Sequence, residues 1–194
     1  AYQAANQIQK AIDACNEALK INPNHTDARW NRGIAYLLSG DLIKGFYDYE
    51  TRWRLPEFKP TKRASILWTG QNLCNKSILV YSEQGFGDTI QFVRYINKLT
   101  QLEPNLVYFE THSALETLIS KIDGIDMVFT RGAALPRTDF HIPLMSLPFI
   151  FKTTIHSIPN QVPYLHLPQV PPYIFVKNNS KKFNVGICWK GRVT

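Results

Sequence analysis

The stretch that decides the fold is "SILVYSEQGFGDTIQF", residues 77–92, which leads from an apolar segment through a glycine-containing turn into an amphipathic segment. Ser77–Tyr81 has the composition of a buried strand, and the apolar spacing that follows predicts a helix from Thr89 to Leu99. Strand, glycine turn and helix in this order are typical of the first crossover in a parallel sheet.

Further strands and helices alternate after this unit. In order they are a strand at 106–112 (LVYFETH), a helix at 113–122, a strand at 126–130 (DMVFT), and an extended segment with a short helix or loop at 139–151. Alternation at this spacing predicts an α/β class, a Rossmann-like parallel sheet with helices on both faces, over residues 75–168. A segment at 59–74 connects it to the preceding helices.

The N-terminal residues 1–58 read as helices. Apolar residues recur with helical spacing from Ile8 to Leu19, and two more helices are predicted at 26–39 and 41–54, with Asp27 and Asp41 as their caps. The segment resembles tetratricopeptide repeats, which have a period of about 34 residues. The matching residues are Trp30, Gly33, Ala35, Tyr36 and Gly40, with Ala11, Ala18 and Pro23 in the preceding repeat.

Two arginines depart from the repeat pattern. Arg32 replaces the usual leucine, and Arg52 replaces a usual small residue near the end. A terminal repeat packed against another domain is expected to be atypical in this way. An unrelated helical hairpin is the alternative interpretation.

Composition excludes several function classes. The net charge of +7 comes from basic residues spread along the chain, and it hints at anionic ligands. The sequence shows neither a nucleic-acid-binding motif nor a clustered basic face. Cys15, Cys74 and Cys188 lack metal or disulfide spacing, which favours a reducing, cytoplasmic setting. The sequence contains no apolar run of about 18 residues, so it does not predict a membrane span.

The chemistry of the glycine turn centres on Asp88. Gly85 and Gly87 would let a ligand approach the backbone, whereas a carboxylate beside them would repel a phosphate. The turn also lacks the third glycine of GxGxxG and the GK[ST] of a P-loop. Asp88 is therefore interpreted as presenting a carboxylate to a neutral or hydroxylated ligand, with a simple helix cap as the alternative.

Four stretches together resemble a known family. "EQGFGDTIQFVRY", "DFHIPLMSLP", "VPYL" and the closing "VGICWKG" are similar to bacterial tetratricopeptide-repeat proteins that carry a glycosyltransferase family 9-like domain, related to lipopolysaccharide heptosyltransferases. The resemblance implies a GT-B fold, in which the first domain binds an acceptor and the second binds a nucleotide-sugar donor. It also implies a bacterial cytoplasmic protein, with a position against the inner membrane left open.

The resemblance assigns roles to residues. Asp88 matches the candidate general base of an inverting transfer that requires neither metal nor cofactor. Independently of the resemblance, substrate contacts are expected from a wider set, in which Glu83 would raise the pKa of Asp88 or orient it. That set is Glu83, Gln84, Gly85, Phe86, Gly87, His141 and Ser146. Lys190 and Gly191 are expected at the donor diphosphate.

The end of the chain predicts a linker and a second domain. Residues 169–182 are proline-rich, and residues 183–194 resemble the first strand of a donor-side domain. We expect a truncated form of a longer enzyme, inactive by itself because the groups that hold the diphosphate are missing. The alternative is a non-catalytic module that binds a protein partner through its repeat helices, with a degenerate Rossmann-like domain.

Overall fold

A computed structural model of the chain describes residues 7–58 and 63–166. Its helices are α1 (Ile8–Ile21), α2 (Thr26–Ser39), α3 (Leu42–Tyr49), α4 (Phe86–Phe92), α5 (Ile96–Thr100), α6 (Glu116–Ile119) and α7 (Leu147–Ile150). Its strands are β1 (Ile66–Leu67), β2 (Ser77–Tyr81), β3 (Leu106–Thr111), β4 (Met127–Thr130) and β5 (Phe140–Pro143). Short 3-10 turns extend α3 over Glu50–Arg54 and join β5 to α7 over Leu144–Ser146.

The five strands form one parallel sheet in the order β1-β5-β2-β3-β4. The predicted α/β class with a parallel sheet is confirmed. Strand β2 has the bounds expected from sequence, and it is central because its apolar run suits burial on both faces. Strand β1 was not predicted, since its two residues have exposed side chains and no alternating pattern.

The main core lies on one face of the sheet. Alternate strand residues such as Ile78, Val80 and Phe109 face Ile96 and Ile119 from the helices, all of them fully buried. Helices α4 to α7 all contribute to this face. On the opposite face, Leu79 lies against a cleft bounded by residues 63–65 and 132–138.

The expectation of helices on both faces is wrong for the described residues. The β4–β5 connection crosses the second face as an irregular segment, "RGAALPRTD", residues 131–139. Gly132 has a φ of +90° and Pro136 follows shortly, and these residues oppose helix formation. One face is therefore covered by loops, and it is open to solvent along the cleft.

Helices α2 and α3 pack closely because both carry glycine at their contact. A Cβ added at Gly33 would lie 3.0 Å from Asp48 Cβ, and one added at Gly45 would lie 2.6 Å from Leu37 Cδ2. Gly40 ends α2 in the left-handed conformation, with a φ of +86°. The two helices can therefore approach more closely at this contact than larger side chains would allow.

The helix caps follow the prediction in part. Asp41 caps α3, accepting a hydrogen bond from the Lys44 amide at 3.2 Å. Asp27 does not cap α2, because it is the second residue of that helix and the cap is His25. The His25 Nδ1 accepts from the Ala28 amide at 3.4 Å. The predicted linker 169–182 and the predicted second-domain start 183–194 lie outside the described residues.

Candidate functional site

The candidate site lies at the carboxyl edge of the sheet, at the point where successive strands change from one side of β2 to the other. After β2 the chain proceeds through β3 and β4 on one side, and then crosses to β5 on the other side of β2. The segments after β2 (residues 82–85) and after β5 (residues 144–146) therefore diverge and leave a crevice between them. Open α/β sheets bind ligands at this point.

Arg52 fills this switch-point crevice. It comes from the 3-10 turn after α3, and its side chain is fully buried. Its Nη2 donates to Glu83 Oε1 at 2.8 Å and to Ser146 Oγ at 2.8 Å, and its Nη1 donates to Glu50. One guanidinium therefore links the helical segment to the segments that follow β2 and β5.

The buried ion pair changes the protonation of Glu83. Burial raises the pKa of Glu83 from its ordinary value of 4.5 to about 7, although the charge and hydrogen bonds of Arg52 oppose the shift. Glu50 adds to the increase because both carboxylates share Arg52. Glu83 is therefore a carboxyl group that changes charge near neutral pH.

Neighbouring side chains hold the start of the glycine turn (residues 82–88). Gln84 Nε2 donates to the Tyr49 hydroxyl at 2.7 Å, and the Gln84 carbonyl lies 2.9 Å from His112 Nε2. Arg131 Nη2 donates to the Ser82 carbonyl at 2.7 Å. The turn is thus fixed by residues from α3, β3 and β4 or the segments that follow them.

Asp88 lies inside the first turn of α4, three residues after the Gly85 cap. The helix therefore begins at Phe86, earlier than the predicted Thr89. Asp88 Oδ2 accepts from the Gly85 amide at 3.1 Å, which stabilises the helix start. Within the described part of the chain, Oδ1 has no hydrogen-bond partner, so half of the carboxylate is available to a ligand.

The two glycines beside Phe86 have ordinary backbone conformations. Gly85 has a φ of −73°, and Gly87 is not in the left-handed region. A Cβ at Gly87 would meet no atom of residues 7–58 or 63–166 within 4 Å, so neither backbone strain nor packing against these residues requires glycine there. Residues 85–87 are exposed and leave the backbone of the turn open to solvent.

The structure separates the other residues predicted as substrate contacts. Ser146 donates to Glu50 and accepts from Arg52, so its hydroxyl is engaged within the protein. His141 pairs with Leu79 in the middle of the sheet, where its Nδ1 lies 3.1 Å from Ser65 Oγ. Burial lowers the pKa of His141, and the charge of Arg63 adds to this effect.

The exposed turn therefore retains only part of the predicted set. Phe86 is about half exposed and packs edge-on against His112, with ring centroids 4.9 Å apart. Glu83 contacts Arg52 and does not serve as a partner of Asp88 in this geometry. Lys190 and Gly191 lie outside the described residues.

Sequence reasoning missed the residues that complete the edge. Tyr49 and Arg131 carried no motif, and Arg52 was noted only as a charged residue where the repeat pattern has a small one. That departure was the available signal, because a charge at a position expected to be buried needs a partner. The partner, Glu83, lies 31 residues away in sequence.

The described residues contain neither a candidate metal site nor a candidate membrane span. Among residues 7–58 and 63–166, no group of three His, Cys, Asp or Glu side chains is arranged to hold a metal ion. Over the same ranges, none of the helices has the length and apolar character needed to cross a membrane.

Comparison of the chain with protein-family models, with curated proteins and with solved structures gives no match.

Proposed function

We propose that this chain is the acceptor-side part of a GT-B-type glycosyltransferase, preceded by tetratricopeptide-like helices, with Asp88 as the general base. The observation that carries the proposal is the exposed glycine turn at the end of the central strand β2, beside an oxygen of Asp88 that has no hydrogen-bond partner among the described residues. A carboxylate at the carboxyl edge of a parallel sheet is well placed to meet a bound substrate.

The proposed reaction balances as an inverting substitution. Asp88 takes the proton of an acceptor hydroxyl as that oxygen attacks the anomeric carbon of the donor sugar. The new glycosidic C–O bond forms as the bond from the anomeric carbon to the diphosphate breaks, and the nucleoside diphosphate departs with the electron pair. Lys190 and Gly191 remain the proposed donor contacts on the second domain.

The absence of side-chain crowding at the turn supports this role. Gly87 has open space where a Cβ would be, so an acceptor hydroxyl can approach the helix backbone near Asp88. The bond from the Gly85 amide to Oδ2 fixes the carboxylate and leaves Oδ1 to accept the proton. A positioned base of this kind contributes about 10²–10⁴-fold to rate.

A second candidate function is a non-catalytic binding module. Arg52 fills the crevice where doubly wound sheets commonly bind ligands, and this observation favours a degenerate site. In that case Asp88 would serve only to stabilise the start of α4. The helices α1 to α3 would then provide the contact with a partner protein.

The two candidates are separated by Asp88→Asn in the full-length protein. The asparagine Oδ1 can still accept from the Gly85 amide, so the helix start is retained while the base is lost. We expect sugar transfer from a panel of nucleotide sugars to fall by about 10²-fold or more, with unchanged thermal unfolding. Asp41→Asn, which alters the cap of α3 away from the site, is the matched control.

Equal transfer by wild type and Asp88→Asn would remove Asp88 from the reaction. Lack of transfer and of donor hydrolysis with every nucleotide sugar would favour the binding module. Loss of activity in Asp41→Asn to the same extent would show that the assay reports helix stability.

A further inference from the structure

An open cleft of about 340 Å³ lies beside the filled crevice, and both segments of the chain form its walls. Trp53 and Phe58 contribute from the helical side, and Tyr81, Ser82, Glu83 and Arg131 contribute from the sheet side. Its volume falls in the range of about 300–1,000 Å³ found for small-molecule sites.

One wall of the cleft is a fixed aromatic surface. The Arg52 guanidinium carbon lies 4.2 Å from the centroid of the Trp53 ring and covers one side of it. Trp53 is half-buried, and the rest of its side chain lines the cleft. Because Arg52 is itself held by Glu83 and Glu50, the aromatic ring has a defined position before any ligand arrives.

The opposite wall provides donors that the protein does not use. Among the described residues, the Arg131 side chain makes one hydrogen bond, to the Ser82 carbonyl, and has no carboxylate within salt-bridge distance. Ser82 is more than nine-tenths buried, and its hydroxyl has no partner in the described part of the chain. The cleft thus contains unpaired N–H and O–H groups near the start of the glycine turn.

Acceptors line the same space. Glu83 is held by Arg52 and Glu110 by Arg63, so their charges are compensated within the protein, while each carboxylate retains lone pairs beyond those pairs. A simple anion would meet these carboxylates at close range, and a simple cation would meet Arg131. The wall suits a ligand whose groups both donate and accept hydrogen bonds, and hydroxyl groups have this property.

We propose that this cleft binds a saccharide unit, with its C–H face on Trp53 and its hydroxyl groups toward Arg131, Ser82 and the paired carboxylates. A serine or threonine acceptor on a protein offers a hydroxyl without a flat apolar face to cover the indole. The inference rests on the proposed function in one respect, since it assigns the acceptor as a sugar. It also makes the helical segment part of the binding site.

Saccharide binding can be measured without any transfer reaction. We would record saturation-transfer NMR spectra of the full-length protein with methyl glycosides and disaccharides at about 10 mM, which detects complexes with a Kd near about 1 mM. Arg131→Gln and Trp53→Ala remove one wall each. Arg54→Gln and Tyr47→Ala are matched controls, because both residues are exposed and lie outside the cleft.

We expect at least one saccharide to bind wild type and both controls, with affinity lowered by about tenfold or more in Trp53→Ala and in Arg131→Gln. Arg131 lies at the surface, so its variant keeps the test valid if Trp53→Ala fails to fold. No saccharide binding by wild type, or binding unchanged in Arg131→Gln, would overturn the inference. The inference would also be overturned if inorganic phosphate displaced the saccharide and bound to folded Trp53→Ala as well as it binds to wild type.

The test also separates this inference from the proposed transferase activity. If saccharide binding depends on the cleft residues but the protein transfers no sugar, the proposed binding site is supported and the proposed transferase activity is rejected. If sugar transfer is unaffected by the cleft variants, the proposed activity is supported and the proposed binding site is rejected.

Discussion

Arg52 is the residue whose buried ion pairs are expected to stabilise the carboxyl edge of the sheet most. It is fully buried and neutralises Glu83 and Glu50, so Arg52→Met would leave two carboxylates without their partner. We expect the free energy of unfolding to fall by about 3–5 kcal/mol, measured by urea denaturation. Lys76→Met, which breaks the exposed pair with Asp139, should cost less than about 1 kcal/mol.

A similar loss in both variants would contradict this account of Arg52. Such a result would mean that the buried network contributes no more than a surface ion pair. An Arg52→Met loss that Glu83→Gln partly restores would instead show that the unpaired carboxylate causes the destabilisation.

Glu83 makes stability depend on pH in a defined direction. Its pKa rises from 4.5 in the unfolded chain to about 7 in the fold, so between these values the native state holds a proton that the unfolded state has lost. Stability contributed by Glu83 is therefore greatest below about pH 4.5 and is lost as the pH rises toward 7. We expect wild type to lose stability relative to Glu83→Gln over this range.

The measurement is the difference in free energy of unfolding between wild type and Glu83→Gln at several pH values. Taking the difference removes the contributions of other acids, such as Asp41 and Asp139, whose lowered pKa values act in the opposite direction. A difference that stays constant with pH would show that Glu83 remains ionised throughout.

At the residue scale, the sequence located the glycine turn that follows β2 and could not assign the contacts of its residues. Asp88 lies where a cap or a catalyst was expected, and the structure shows the capping bond together with a second oxygen that has no partner in the described part of the chain. Glu83 was paired with Asp88 in the prediction because both are acids near one turn. Its actual partner, Arg52, comes from a distant helix, and no local pattern specifies such a contact.

At the scale of elements, the packing of α2 on α3 depends on Gly45. A methyl group added there would lie 2.6 Å from Leu37 Cδ2 and 2.9 Å from the Leu37 amide nitrogen. We expect Gly45→Ala to destabilise the protein by about 1–3 kcal/mol, measured by thermal or urea unfolding. Gly87→Ala, also in a helix but with open space around it, should be neutral or stabilising by less than about 1 kcal/mol.

If Gly87→Ala destabilised the protein more than Gly45→Ala, the contact between α2 and α3 would accommodate a methyl group and Gly87 would have a close neighbour. Gly87→Ala has a second use, because a ligand that approaches the turn would meet the added methyl group. Reduced transfer in a fully stable Gly87→Ala protein would agree with the proposed acceptor approach.

Element positions were predictable where apolar spacing was strong. Strand β2 and helix α2 have the bounds read from the sequence, because one is a buried apolar run and the other has a clear amphipathic period. Strand β1 was missed because two exposed residues carry no period. The predicted helix 41–54 changes to 3-10 geometry at Glu50, where Arg52 turns inward to its buried partners.

At the scale of the whole molecule, the helical segment and the sheet share a buried interface. Phe46 packs edge-on against Phe92 at 6.2 Å between ring centroids, and Tyr49 and Arg52 bond to Gln84 and Glu83. Contacts of this kind couple the unfolding of neighbouring segments. The sequence predicted adjacent domains, and it contained no signal for a junction built through the crevice of the sheet.

We therefore expect the two segments to unfold in one cooperative transition. Ile142→Ala removes a fully buried side chain from β5, far in sequence from α1 to α3, and should cost about 2–5 kcal/mol. Hydrogen exchange with mass spectrometry should show faster exchange in peptides from α2 and α3 as well as in peptides from β2 and β3. Faster exchange confined to the sheet would mean that the helices fold independently, and the carboxyl edge would then be held by contacts that form and break separately from the core.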